Sequence, residues 1–179
     1  NKFTNALNFE HTTFLTEEIV DILLKKVGFK VIKKQYYSEL PCIFYACEKS
    51  LPKKIAWDKS LYAKNKKVFL EFVRFYQSEV NALNKMIDIF DGDIYLFGAH
   101  IFSQFLIFNG LRHNNIKTIL DNSVMKQNKR LYGTNFIIKS PKILKNKNNI
   151  AVILKTATYN EEIKKDILEN INKSVIFFE

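Results

Sequence analysis

The middle of the chain constrains the fold more than any other part. Its pattern is strand, glycine turn, helix, strand and acid, which is the order in the nucleotide-binding half of a doubly wound α/β fold. In chain order we place these features at Asp93–Phe97, Gly98-Ala99-His100, about Ile101–Leu111, Ile116–Leu120 and Asp121.

This pattern predicts a ligand site at the end of the first strand. Gly98 lets the backbone turn sharply and approach a ligand, and the helix that follows presents free N–H groups to a phosphate. Asp121 lies about 20 residues further on, where an acid bonds the hydroxyls of a ribose. Ala99 and Ser103 are small, but Gly98 is the only glycine of the turn. An ordinary strand, turn and helix with a glycine at the bend is therefore the alternative interpretation.

The residues before this stretch predict a helix, a hairpin and a second, long helix. Thr16 caps the first helix, and two strands at Phe29–Tyr37 and Cys42–Cys47 form an antiparallel hairpin. Apolar residues then recur at three- and four-residue spacing from Asp58 or Ser60 to about Phe90. A helix of roughly 30 residues is about 45 Å long, so we expect it to bridge two domains or to form a homodimer.

The residues after this stretch complete a small parallel sheet. We predict strands at Phe136–Ile138, Ile150–Leu154 and Val175–Phe178, with a helix at about Asn160–Ile171. The fold class is therefore α/β, a Rossmann-like and mostly parallel sheet with flanking helices. The predicted divisions are residues 1–50, the connecting helix 51–91 and the sheet domain 92–179.

The composition limits the classes of partner. Of the 179 residues 28 are Lys or Arg, and the net charge is +10. Only 3 of the cations are Arg, which is the residue that reads bases and phosphates in bidentate fashion, so we expect solvated lysines and no nucleic acid. No apolar run is long enough for a membrane span, and we predict no membrane partner. Cys42 and Cys47 are expected to be reduced core residues of a cytoplasmic protein, and no Cys/His cluster has the spacing of a metal site.

A set of short motifs in the last third of the chain resembles a known family. They are Gly98-Ala99 after a strand, Asp121-Asn122, Lys126-Gln127, Gly133-Thr134 and Glu161-Glu162-Ile163. This order and spacing resembles the C-terminal domain of the bacterial sugar C-methyltransferases that use S-adenosylmethionine, and it covers most of residues 92–171. The resemblance implies that a nucleotide-sugar or related substrate binds at Gly98, Ala99, His100, Ser103, Asp121, Asn122, Lys126, Gln127, Gly133 and Thr134.

The first 50 residues are similar to the end of a class I methyltransferase domain. There a Glu-His pair precedes an aromatic residue, a capped helix and a Gly-Phe strand entry, as in Glu10, His11 and Gly28-Phe29. The family implies that Glu10 and His11 are catalytic and help to remove a proton from the carbon that is methylated. Histidine suits this role, since its pKa lies near neutrality. Asn8 replaces a tyrosine that is often found in the family, so a sugar oxygen or another acceptor also remains open.

The resemblance implies a part of an enzyme of surface polysaccharide biosynthesis. In such enzymes the glycine loop that binds S-adenosylmethionine lies upstream of the segment that starts here, so we expect this chain alone to be inactive. Two other hypotheses remain open. One is a regulatory module that binds a nucleotide or NAD through Gly98 and Asp121, and the other is a structural dimerisation module built on the long helix.

Overall fold

The structure, a computed structural model, describes residues 13–37, 42–56, 58–156 and 159–179. It confirms the α/β class, with a parallel sheet between helices, an antiparallel hairpin and a long helix. The chain divides into two units, residues 1–72 and 73–179, and the division falls inside the long helix.

The first unit contains a helix followed by the predicted hairpin. Acidic residues occupy the first turn of the helix and lysines its last turn, so both ends complement the helix dipole. The two strands pair antiparallel, from Phe29 opposite Lys49 to Tyr36 opposite Ile43. The elements are α1 at Glu17–Lys26, β1 at Phe29–Tyr36 and β2 at Ile43–Lys49.

A group of charged side chains fastens α1 to β1. The Lys34 ammonium donates to Glu17 Oε1 and to Asp21 Oδ2, at 2.6 Å in both cases. Tyr36 Oη donates to the same Glu17 oxygen at 2.6 Å. These hydrogen bonds from Lys34 and Tyr36 lower the pKa of the Glu17 carboxyl below its ordinary value. A hydrogen bond from Lys64 lowers the pKa of Glu18 to about 2.

We expect acid to loosen the contacts that α1 makes with β1 through Glu17 and with Lys64 through Glu18. A carboxyl whose pKa falls on folding stabilises the fold above its unfolded-state pKa, and this contribution disappears as the pH drops toward the folded-state value. For Glu17 and Glu18 the loss begins below the ordinary pKa of 4.5, and for Glu18 it ends near 2. Hydrogen-exchange protection of the α1 amides, corrected for intrinsic rates, should therefore fall as the pH drops below 4.5 and toward about 2. The fall should be smaller in the Lys34→Gln variant, which lacks the ammonium that lowers the pKa of Glu17. An equal fall in the variant and the wild type would contradict the role of the contact between Lys34 and Glu17.

The first unit buries little of its apolar surface. Among its described residues no hydrophobic side chain is buried, and Val27, Ile32 and Leu51 are 62%, 63% and 83% exposed. Cys42 is exposed and Cys47 half-buried, both as free thiols, so the prediction that Cys42 lies in a core is wrong. A hairpin and a helix bury too little apolar area to form a closed core by themselves.

The second unit is built on four parallel strands in the spatial order β4-β3-β5-β6. All five residues of β5 are fully buried, as the unbroken apolar run predicts for a central strand. The long helix α2, at Ser60–Ile89, belongs to this unit from Val73 onward. The other elements are β3 at Asp93–Phe97, α3 at Ile101–Phe108, β4 at Ile116–Leu120, β5 at Ile150–Leu154, α4 at Asn160–Asp166 with a π-helical extension at Ile167–Ile171, and β6 at Ile176–Phe178.

Helical elements cover both faces of this sheet. On one face, residues of alternate register such as Leu96 and Ile153 share a core with Leu83 of α2 and Leu106 of α3. On the other face, residues such as Phe97, Val152 and Leu154 share a core with Ile163 and Ile167 of the α4 segment. The two cores make this a doubly wound arrangement, as the sequence predicts.

Two element predictions need correction. The strand predicted at Phe136–Ile138 is wrong, because this segment forms only isolated bridges, from Ile137 to Arg130 and from Lys139 to Leu120. Ile138 N–H instead donates to Lys129 O at 2.9 Å, which closes a local loop. The α3 helix ends at Phe108 rather than Leu111, because Gly110 has a φ of +94°.

Within the described parts of the chain, no helix combines the length and the apolar character that crossing a membrane requires. The same residues contain no group of three or more His, Cys, Asp or Glu side chains placed to hold a metal ion.

Candidate functional site

The topological switch point lies between the two central strands. The connection from β3 passes through α3 to β4, while that from β5 passes through α4 to β6 on the other side of the sheet. Ligands of doubly wound folds bind where neighbouring connections diverge in this way, at the carboxyl ends of the strands. Here these ends are the turn at Gly98 and the segment at Thr156.

Gly98 is held against the neighbouring loop. Its φ is +101°, and a Cβ atom at this position would lie 3.0 Å from Thr156 Cγ2. Its N–H donates to Leu120 O at 2.7 Å. A side chain at Gly98 would therefore strain the backbone and press the two loops apart. The glycine that the sequence singles out is required for the close approach of the β3 and β5 loops.

Asp121 holds together the loops after β3 and β4. The residue is 8% exposed. Its Oδ2 accepts from Ala99 N–H at 2.8 Å and from the Lys126 ammonium at 3.1 Å, and its Oδ1 accepts from Ser123 N–H at 2.8 Å. Both carboxylate oxygens therefore have donors from the protein itself. The arrangement organises the turn, and it leaves Asp121 less available to ribose hydroxyls than the spacing alone suggests.

Ser103 also shapes the turn from within. It is 1% exposed, and its hydroxyl donates to Gly98 O. Because the hydroxyl is buried and already bonded, Ser103 positions the Gly98 turn and does not face solvent.

His100 and Lys126 are the accessible polar side chains at the start of α3. His100 is the N-cap residue of this helix, and its ring lies against Phe102 with 5.7 Å between ring centroids. Partial burial and the nearby Lys126 lower the pKa of His100, while Asp121 opposes the shift. The imidazole is therefore mainly neutral at pH 7, beside a lysine cation and the positive end of a helix dipole. These groups form a surface that can receive a phosphate.

The structure does not gather all the predicted substrate residues at one place. Asn122 and Gln127 line a cavity of about 480 Å³ that also contains Lys142 and Lys145. Gly133 and Thr134 line another cavity, of about 600 Å³, beside Ile116 at the amino end of β4. The residues at the switch point itself are Gly98, Ala99, His100, Ser103, Asp121 and Lys126. Glu10 and His11 lie outside the described residues.

Asn160 supports the loop after β5, a role that the sequence analysis does not predict. Asn160 Oδ1 accepts from Thr156 N–H at 2.8 Å and from the Thr156 hydroxyl at 2.9 Å. Its amide donates back to Leu154 O at 3.2 Å. A threonine just after a buried strand and an asparagine four residues later is the available sequence signal, because such side chains cap turns and helix starts.

Comparison with protein-family models and with curated proteins finds no match for this chain. Its function is therefore inferred from its residues and their geometry.

Proposed function

We propose that the chain is the C-terminal part of an S-adenosylmethionine-dependent methyltransferase that acts on a nucleotide-sugar or a related sugar, in surface polysaccharide biosynthesis. In this proposal the second unit holds the substrate, and the phosphates lie over the start of α3. Glu10 and His11 would serve the chemistry, and S-adenosylmethionine would bind mostly to parts of the protein before this chain.

The observation that carries the proposal is the geometry of the switch point. Gly98 brings the β3 loop against Thr156, and the helix that follows exposes His100 with Lys126 beside it. A helix N-terminus with a neighbouring cation favours a phosphate group. Ala99 N–H and the Lys126 ammonium both donate to Asp121 Oδ2, so these motif residues of the resemblance lie together although they are 27 residues apart in sequence.

The first unit supports the methyltransferase part of the proposal. Its described residues form α1, an antiparallel hairpin and the first part of α2, but they bury no hydrophobic side chain. Apolar surface of this extent is expected on the last elements of a larger domain, where the rest of the domain covers it. The hairpin is thus better suited to completing a sheet than to folding alone.

An NAD-binding regulatory module fits the site less well. That function needs an acid after the second strand whose oxygens are free for ribose hydroxyls. Here Asp121 accepts from Ala99, Ser123 and Lys126. A ligand that relies on its phosphates would not displace these bonds, whereas NAD would have to compete with them for the carboxylate.

Thermal shift with a ligand panel tests the proposal. The panel contains UDP-glucose, TDP-glucose, GDP-mannose, NAD, NADH and S-adenosylmethionine. At 100 times its dissociation constant a ligand adds about 2.7 kcal/mol, which raises the melting temperature of a domain of this size by roughly 10 °C or more. We expect one class of nucleotide-sugar to give such a rise.

Two lysine variants provide the matched comparison. Lys126→Gln removes the cation beside His100, and Lys129→Gln removes an exposed lysine three residues away. The ligand-induced rise should shrink in Lys126→Gln and persist in Lys129→Gln. Stabilisation by NAD alone would instead support the regulatory module, and a panel without any effect would contradict substrate binding by the second unit.

A further inference from the structure

The cavity of the second unit that is lined by Gly133 and Thr134 lies apart from the switch point. It has a volume of about 600 Å³, and Ile116, the first residue of β4, is part of its wall. Asp121 follows the last residue of the same strand, so the cavity and the switch point lie at opposite ends of β4. The volume is within the range of about 300–1,000 Å³ that is usual for small-molecule sites.

The cavity combines an apolar floor with a polar rim. Ile107, Ile116 and Phe136 supply the apolar surface. The ring of His113 meets that of Phe136 edge to face, with 6.2 Å between the centroids. Arg130, Asn114 and Asn135 supply polar groups, and no Asp or Glu of the part of the chain that the structure describes lines the cavity. Such a lining suits a ligand that carries both a flat ring and a negative charge.

Arg130 is the group that sets the charge of the ligand. Arg112 forms an ion pair with Asp88. Within the described residues, Arg130 by contrast has neither an ion pair nor a side-chain hydrogen bond. A guanidinium presents its donors in a planar fork that matches the oxygens of a phosphate.

The loop that carries these groups is fixed in place by its own hydrogen bonds. Arg130 forms an antiparallel bridge with Ile137, and Leu131 N–H donates to Phe136 O at 3.0 Å. The Thr134 hydroxyl donates to Leu131 O at 2.9 Å and accepts from Phe136 N–H at 3.2 Å. A loop ordered before binding loses little conformational entropy when a ligand arrives. Thr134 thus acts on the shape of the cavity through this turn.

We propose that this cavity binds a nucleoside phosphate, with the phosphate on the Arg130 guanidinium and the base against Phe136 and the aliphatic floor. The ligand lies at the amino end of β4. The assignment does not depend on the switch point, because Arg130 and Phe136 are not among the residues that lie there.

An NMR titration with uridine monophosphate and adenosine monophosphate tests the assignment on the whole chain. The amides of His113, Thr134 and Asn135 report on this cavity, while those of Gly98 and His100 report on the switch point. We expect saturable shifts in the first group with at least one nucleotide below about 5 mM. Absence of saturable shifts there with both nucleotides would overturn the proposal. Shifts confined to the switch point would also overturn it and would leave the proposed function intact.

Two variants and one simpler probe sharpen the test. Arg130→Gln should weaken binding about tenfold or more, which is the loss of a charge-assisted hydrogen bond. Lys129→Gln removes an adjacent exposed cation and should leave the affinity within about twofold. Equal weakening by the two variants would contradict the role of Arg130. Inorganic phosphate that binds as tightly as the nucleotides would contradict the role of the apolar floor.

Discussion

Replacement of Asp121 with alanine is expected to destabilise the second unit by about 3 kcal/mol. The carboxylate is buried and accepts from Ala99 N–H, Ser123 N–H and the Lys126 ammonium. Its removal leaves two backbone donors at the ends of β3 and β4 without their acceptor, and each unsatisfied buried group costs about 1–3 kcal/mol. Urea unfolding should show the loss as a lower midpoint with an unchanged slope.

Asp121→Asn is the matched control for this prediction. The amide has nearly the same shape and keeps one oxygen acceptor, but it presents an NH₂ group where a second acceptor is needed. We expect a loss of stability between those of the wild type and of Asp121→Ala. If the free energy of unfolding of Asp121→Ala is within about 0.5 kcal/mol of that of the wild type, the carboxylate does not hold the loops after β3 and β4 together. The destabilisation expected for Asp121→Ala also means that loss of ligand binding in this variant cannot by itself identify a ligand contact.

Gly92→Ala is expected to cost about 3 kcal/mol through a steric clash at the start of the sheet. A Cβ atom at Gly92 would lie 2.2 Å from the backbone oxygen of Asn149 and 2.8 Å from its Cγ. That oxygen accepts from Asp93 N–H at 3.1 Å, directly before β3 and β5 begin to pair at Asp93 and Ile150. The backbone would have to move where the two central strands meet. Urea unfolding followed by circular dichroism measures the loss.

Gly110→Ala separates steric clash from backbone strain. Gly110 has a φ of +94°, but apart from its two chain neighbours no atom of the described residues lies within 4 Å of a Cβ added there. Only the conformational cost of an L residue should appear, which is about 1 kcal/mol. If Gly92→Ala costs no more than Gly110→Ala, the close packing of Gly92 against Asn149 is wrong.

Local sequence patterns predict the second unit well, because its apolar runs and its helical spacing of apolar residues agree with each other. The apolar run Ile150–Leu154 and the apolar end of β3 have the composition of strands that are covered on both faces. The spacing of Val80, Leu83 and Ile87 likewise identifies the buried stripe of the long helix. These predictions succeed because each depends only on which apolar side chains are buried on folding.

The predicted site shows what local patterns miss. Spacing places an acid at Asp121, but it does not reveal that the N–H groups of Ala99 and Ser123 occupy its oxygens. Likewise, the motif joins Gly133-Thr134 to the switch point, whereas the loop from Arg130 to Ile137 folds back on itself beside the amino end of β4. The bond from Ala99 joins segments 22 residues apart, whereas the bond from Ser123 and those of the Arg130–Ile137 loop are local. Hydropathy patterns and motif spacing predict neither kind, because both depend on the exact path of the backbone through loops.

If the switch point holds the phosphates of a nucleotide-sugar, an NMR titration with UDP-glucose, TDP-glucose and GDP-mannose should detect the binding there. We expect saturable shifts of the Gly98, His100 and Thr156 amides with one of these ligands, and weaker binding in Lys126→Gln but not in Lys129→Gln. No saturable shift of these three amides at about 5 mM of any ligand would contradict the claim.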